Sequence, residues 1–257
     1  MDGVVSYIIG FLPVLVRVSG LVMASPIFGG RGVAAQVKIG LSFITAWVLY
    51  PALAETAFHI ETVPAYYLVI IRELLVGIGL GFAVTLVFSA IYLAGQLIDV
   101  PMGFGMVNVV DPHSGLQVPI FAQFQYILAA LIFLSVGGHH VLLHTLASSF
   151  VQIPIGGALG GNGWPMAILD IFASMFYLGV KLSLPLVTGL LLADIALGIV
   201  ARAVPQINVF VVGFPAKIMI GISLFIVVLP AYVTLLAQVF GADGELGSIL
   251  QGFLQNF

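Results

Sequence analysis

Long apolar runs separated by short stretches of glycine, proline and polar residues set the rhythm of this chain. The runs extend from Val4 to Ser25, Lys38 to Tyr50, Ala65 to Ile98, Ile120 to Val136, His139 to Phe150, Met166 to Arg202, and Lys217 through Pro230 to Phe240. None shows the strict alternation of a half-buried strand, and most are long enough for several helical turns. They predict an all-α fold of six to seven apolar helices, several kinked or broken by proline or glycine. Pro13 and Pro185 mark kinks, Gly137-Gly138 ends a helix, and 204–215 breaks the pattern. The last residues, 241–257, form either a short amphipathic helix or a frayed end. Residues 74–98 carry no charge, a stretch of about 37 Å of helix against an apolar slab about 30 Å thick. Just before and within it Glu73, Gly77 and Gly81 recur every four residues. They predict a stripe of close helix contact with a carboxylate at one end.

The segment Gly95–Pro119 departs from this rhythm without turning polar. It holds four glycines and three prolines, so a continuous helix through Pro101, Gly103, Gly105 and Pro112 is not expected. Met102, Phe104, Met106, Val107, Val109 and Val110 are too apolar for a solvated loop. Irregular backbone of this kind is tolerated within an apolar slab only where protein encloses it or a passage runs beside it.

Composition places the chain among membrane or membrane-complex proteins: 61% of its 257 residues are hydrophobic and 7% charged, against roughly 25% charged in soluble domains. No polar stretch is long enough for a separate soluble domain, so residues 1–257 read as one unit. A net charge of −3 with scattered basic residues gives neither a nucleic-acid footprint nor a polybasic lipid patch. The absence of cysteine removes thiol catalysis and thiolate metal sites. The N-terminus has an acid and no basic residue before its first apolar run, which reads as a retained helix rather than a signal peptide.

Charged residues inside apolar runs are the first candidates for a site, because an unpaired charge there is costly. Arg17, Glu73, Asp99, Lys181, Asp194, Arg202 and Lys217 qualify, and structural pairing across helices is preferred over an ion or proton relay. Asp194, Gly198 and Arg202, at four-residue steps, suit a network along one helix. His139, His140 and His144 are the candidate metal ligands, yet no acid or cysteine between Pro112 and Leu169 completes a set. They read instead as helix anchors, with no metal and no cofactor expected. Asp111, His113 and Ser114 are the residue types of a hydrolase triad, but neighbours in a turn rarely converge; no enzyme is expected. The string 77–82 has phosphate-loop glycines without the strand that such a loop follows. Met102, Phe104 and Met106 on glycine hinges Gly103 and Gly105 suit an adaptable seal, because methionine and phenylalanine pack without one fixed geometry. Ordinary buried contacts are the competing reading.

Taken in order, the strings RVSGLVMASPIFG at 17–29, VKIGL at 37–41, ELLVGIGLGF at 73–82, AGQLIDVPMGF at 94–104, VDP at 110–112, GHH at 138–140, SFVQIPIG at 149–156 and PQINVFVVGFP at 205–215 resemble the flagellar biosynthetic protein FliR family. The same strings are similar to its injectisome counterparts of the SctT type. The resemblance covers nearly the whole chain. It implies a subunit of the type III protein export gate at the flagellar basal body in the bacterial inner membrane, joining FliP and FliQ in a hetero-oligomeric core. FlhB and FlhA are the implied neighbours, unfolded export substrates the cargo, and membrane lipid a further contact, with no nucleic acid. It also implies apolar helices that are tilted and held largely by sister subunits. The segment from Met102 to Asp111 matches the family loop that plugs the pore, so Met102, Gly103, Phe104, Gly105, Met106, Asp111 and Pro112 are the implied plug. The assembly set is Arg17, Glu73, Gly77, Gly81, Asp99, Asp194, Arg202 and Lys217. The alternative is a stand-alone secondary transporter, built from broken helices with buried charges; no internal repeat supports it.

Overall fold

The computed structural model describes residues 2–30, 32–53, 63–104, 119–157, 163–206, 209–242 and 244–256. Regular structure among the described residues is helical: α1 Asp2–Ala24, α2 Ala35–Leu53, α3 Val63–Met102, α4 Ile120–Val136, α5 Gly138–Gln152, α6 Trp164–Ala203, α7 Val209–Phe240 and α8 Glu245–Asn256. Five of these helices are long and apolar enough to cross a bilayer, or up to six if the pair broken at Gly137 counts as one span. Gly137 has φ +82°, a left-handed conformation that stops α4 and lets α5 start at once.

Two elements run further than the sequence pattern suggests. Helix α3 continues through Pro101 and stops only at Met102, so Gly95–Met102 is helix rather than irregular chain. The stop belongs to Gly103, whose φ is +96° and whose N–H reaches the Val100 carbonyl at 3.2 Å. Helix α7 starts at Val209 and passes through Pro215, leaving a break shorter than 204–215. The C-terminal segment takes the helical option: Leu246, Gly247, Leu250, Phe253 and Leu254 of α8 are buried, at the 3.6-residue spacing of one apolar face.

The chain divides into two compact units, residues 1–87, 137–172 and 240–257 in the first, and 88–136 and 173–239 in the second. Both are discontinuous, and α3 and α6 each contribute to both.

In the first unit α1 and α2 are antiparallel and joined by aromatic rings. Tyr7 packs edge-on to Tyr50 and Trp47, and Phe11 to Phe43 and Tyr50. Helices α1 and α3 run parallel, because Ile9 meets Tyr66, Gly20 meets Leu74 and Ile78, and Ala24 meets Thr85. Helix α8 closes the unit: its Phe253 ring lies where a side chain on Gly79 would stand.

In the second unit the end of α3 and α4 are antiparallel, with Phe88 against Tyr126 and Phe133. Ile98, Met102, Phe121, Leu186, Leu190 and Phe225 form the core, drawn from α3, α4, α6 and α7. Small residues set the close approaches: Gly179 faces the Ala90 carbonyl and Leu93, and Gly189 faces Leu224.

Candidate functional site

Two polar constructions stand out against this apolar background, one in each unit. The first is built on Arg17, which is 0% exposed. Its guanidinium is a rigid fork of donors, and here every nitrogen finds an acceptor. Nε donates to Glu73 Oε2 at 2.5 Å, Nη1 to Ser149 Oγ at 3.0 Å, and Nη2 to the Ile153 carbonyl at 2.9 Å. The Phe150 ring covers it at 4.1 Å. Ile153 follows the last turn of α5, where unpaired carbonyls and the negative end of the helix dipole favour a cation. The close approach of α1 to α3 makes this possible, because any side chain on Gly77 would collide with the Arg17 carbonyl, and one on Gly81 with Ala24 and the Leu21 carbonyl. Arg17, Glu73, Gly77 and Gly81 thus form one intramolecular joint between α1, α3 and α5.

The second construction is at the junction of α3 and α4. Pro119 precedes α4, and its side chain has no acceptor with which to cap the first turn. Asp99, buried near the end of α3, supplies it: Oδ1 accepts the Phe121 N–H at 2.9 Å and Oδ2 the Ala122 N–H at 3.1 Å. One turn earlier, Gly95 lies so close to Ala122 that a side chain there would strike its Cα. Asp99 is therefore paired with backbone donors rather than with a cation, a solution invisible to a search for opposite charges.

Next to this cap lies the described part of the expected plug. Met102 is 0% exposed and belongs to the core, with its thioether against Gly221 of α7. Its side chain is anchored in that core. Gly103 turns the chain beside the Phe214 ring, and Phe104 packs on the edge of the same core. Gly105, Met106, Asp111 and Pro112 lie outside the described residues, as do His113 and Ser114.

The remaining charges resolve differently from the expected intrahelical network. Asp194 of α6 forms an ion pair with Lys217 of α7 at 2.5 Å, across the two antiparallel helices. Arg202 is exposed two turns along α6 and takes no part in that pair. The His139 and His140 rings lie 4.1 Å apart and tilted by 38° at the start of α5, and His144 is exposed one turn on. Among the described residues no three His, Asp or Glu side chains converge on a point.

Sequence reasoning passed over Ser149, Phe150 and the Ile153 carbonyl as the partners of Arg17, and Gly95 as a contact glycine. It also passed over Gln125, fully buried with neither amide atom partnered among the described residues. A glutamine four residues from Phe121 and Ala129 on an apolar face was the available signal.

A family model described as bacterial export proteins, family 1, matches residues 8–242. The chain is similar to the flagellar biosynthetic protein FliR of Bacillus subtilis (strain 168), 37% identical over 248 residues and covering 95% of each chain. It is 36% identical over 217 residues to the protein of that name from Escherichia coli (strain K12), covering 84% of this chain and 82% of that one. The counterpart from Aquifex aeolicus (strain VF5) is 29% identical over 259 residues, covering 100% and 99%.

Proposed function

This chain belongs to the bacterial export proteins, family 1, and from that premise we propose that it is a subunit of the flagellar type III protein export apparatus, working as part of a conduit wall and its plug. The observation that carries the reading is the match over nearly the full length to proteins named for flagellar biosynthesis. The chain sits in the inner membrane at the flagellar basal body, in a hetero-oligomeric core with FliP and FliQ, and with FlhB and FlhA as neighbours. Unfolded export substrates pass beside it. It has no catalysis of its own, and energy for transport comes from elsewhere in the apparatus.

Within that reading, the exit of α3 is the rim of the plug. Met102 is its fixed edge in the core, Gly103 turns the chain, and Phe104 with Gly105, Met106, Asp111 and Pro112 forms the part that seals. Exposed apolar side chains suit this assembly role: Val211, Val212, Met219 and Val227 of α7 lie on the surface of the isolated chain, where partner helices or lipid must cover them.

Two measurements test the proposal. Native mass spectrometry of the tagged protein, extracted in mild detergent after expression from its own chromosomal neighbourhood, is expected to show one copy of this chain with several copies of two other small apolar proteins. A chain that stays alone and monodisperse overturns the export-gate reading. Deleting Gly103–Gly105 is expected to leave that complex intact and make the closed form leak small ions; an unchanged seal in the assembled variant removes the plug.

A further inference from the structure

We propose that Asp99 is a positioning residue, holding the exit of α3 at Gly103 and Phe104 in fixed register with the entry of α4 by capping that helix from a neighbouring one. The inference deepens the conduit reading above and rests on it for the effect on sealing, while the clamp itself rests on geometry alone. Phe104 packs on the core that Ile98 and Met102 of α3 share with Phe121 of α4, so its place depends on how those two helices are held together. A local cap at the start of α4 would satisfy the same N–H groups without tying them to anything. Here the acceptors come from α3, one turn before its end, so the two N–H bonds are at once a helix cap and a tether.

Three further observations show that the tether is built rather than incidental. Both carboxylate oxygens are used, on successive N–H groups, which fixes the rotation of α4 as well as its distance. Gly95 removes the side chain that would keep α4 at arm's length. Ile98 and Met102, on either side of Asp99 along α3, share one core with Phe121, the first residue it caps. A carboxylate at this end faces the positive pole of the helix dipole, where N–H bonds to an ionised acceptor are of the stronger, charge-assisted kind.

The test uses the full chain in its assembled complex, with Asp99→Ala, which removes both acceptors, and Asp99→Asn, which keeps one. Hydrogen exchange of peptides covering residues 119–126 reads the clamp, and ion flux through the closed complex reads the seal. In Asp99→Ala, exchange at Phe121 and Ala122 is expected to speed up by about tenfold, the loss of a charge-assisted bond. The closed complex is expected to leak, with Asp99→Asn between it and the parent in both readings, and with complex yield unchanged. Unchanged exchange overturns the clamp. Faster exchange with an intact seal, where deletion of Gly103–Gly105 does leak, overturns the positioning role and leaves the plug standing. If that deletion does not leak, the plug reading is what fails, and exchange alone decides the clamp. Loss of the complex in both Asp99 variants also overturns the proposal, by making Asp99 a folding residue.

Discussion

A guanidinium with no exposed surface is costly unless its nitrogens find acceptors, and Arg17, bonded at all three, shows what such a residue does for its neighbours. It joins α1 to α3 through Glu73 and to α5 through Ser149 and the Ile153 carbonyl, so one side chain fixes three helices at once. Removing either partner strands the other: Arg17→Ala leaves the Glu73 carboxylate buried alone, a loss of roughly 3–5 kcal/mol. Glu73→Leu is expected to lower the yield of folded chain in the same way, through its own fold. Replacing both, as Arg17→Met with Glu73→Leu, should cost much less than the sum of the single changes. Thermal unfolding in detergent checks this, and additive losses would show that the two residues are not coupled. The charges themselves were legible, since a basic and an acidic residue stood inside apolar runs. Their pairing was not, because 56 positions separate them, and periodicity speaks only of residues within a few turns. Asp99 was harder still, because its partners are backbone N–H groups that every sequence contains.

At the scale of elements, the prolines are the instructive case. The pattern predicts kinks at Pro13 and Pro185 and a run that continues past Pro230, and Pro13, Pro185, Pro215 and Pro230 all lie inside helices that continue past them. A proline removes the N–H that would bind the carbonyl four residues earlier. For Pro13 that carbonyl is Ile9, and the Tyr66 hydroxyl of α3 donates to it at 3.0 Å. The backbone bond lost in α1 is replaced by a bond between α1 and α3, so the helix survives and gains a neighbour. Tyr66→Phe is therefore expected to destabilise the chain by about 1 kcal/mol. In a Pro13→Ala background, where the backbone N–H is restored, the same change should have almost no effect. A double-mutant cycle on unfolding in detergent measures the difference, and equal effects in both backgrounds would refute the substitution of one bond by the other. Helix existence was readable from hydrophobic runs; helix ends were not, because they depend on what another helix offers to the exposed backbone groups.

For the molecule as a whole, the dimensions argue against simple bilayer spans. Helices α3 and α6 have 40 residues each, about 60 Å at 1.5 Å per residue, against an apolar slab about 30 Å thick. Their apolar surfaces extend well beyond what lipid alone would cover in an upright helix. The chain lacks cysteine, so single cysteines at Leu192 and at Leu190 of α6, exposed and buried respectively, report cleanly on what covers that surface. In the isolated chain in detergent, position 192 is expected to react with a maleimide and position 190 to resist. In the purified complex, position 192 should become protected; equal reaction with and without partners would show that no subunit sits there. The division into two units was not legible, since each unit is assembled from segments far apart in the sequence and local patterns do not report which segments meet. That interleaving also governs the order in which the protein is made. The first unit begins at the N-terminus but is finished only by residues 240–257, so Gly79 leaves the ribosome long before Phe253 of α8 arrives to cover it. At roughly 5–20 residues per second, the wait between residue 87 and residue 240 is about 8–30 s. During that interval the earliest segments must be sheltered by membrane, chaperone or partner, and the second unit, complete at residue 239, is finished before the unit that was started first.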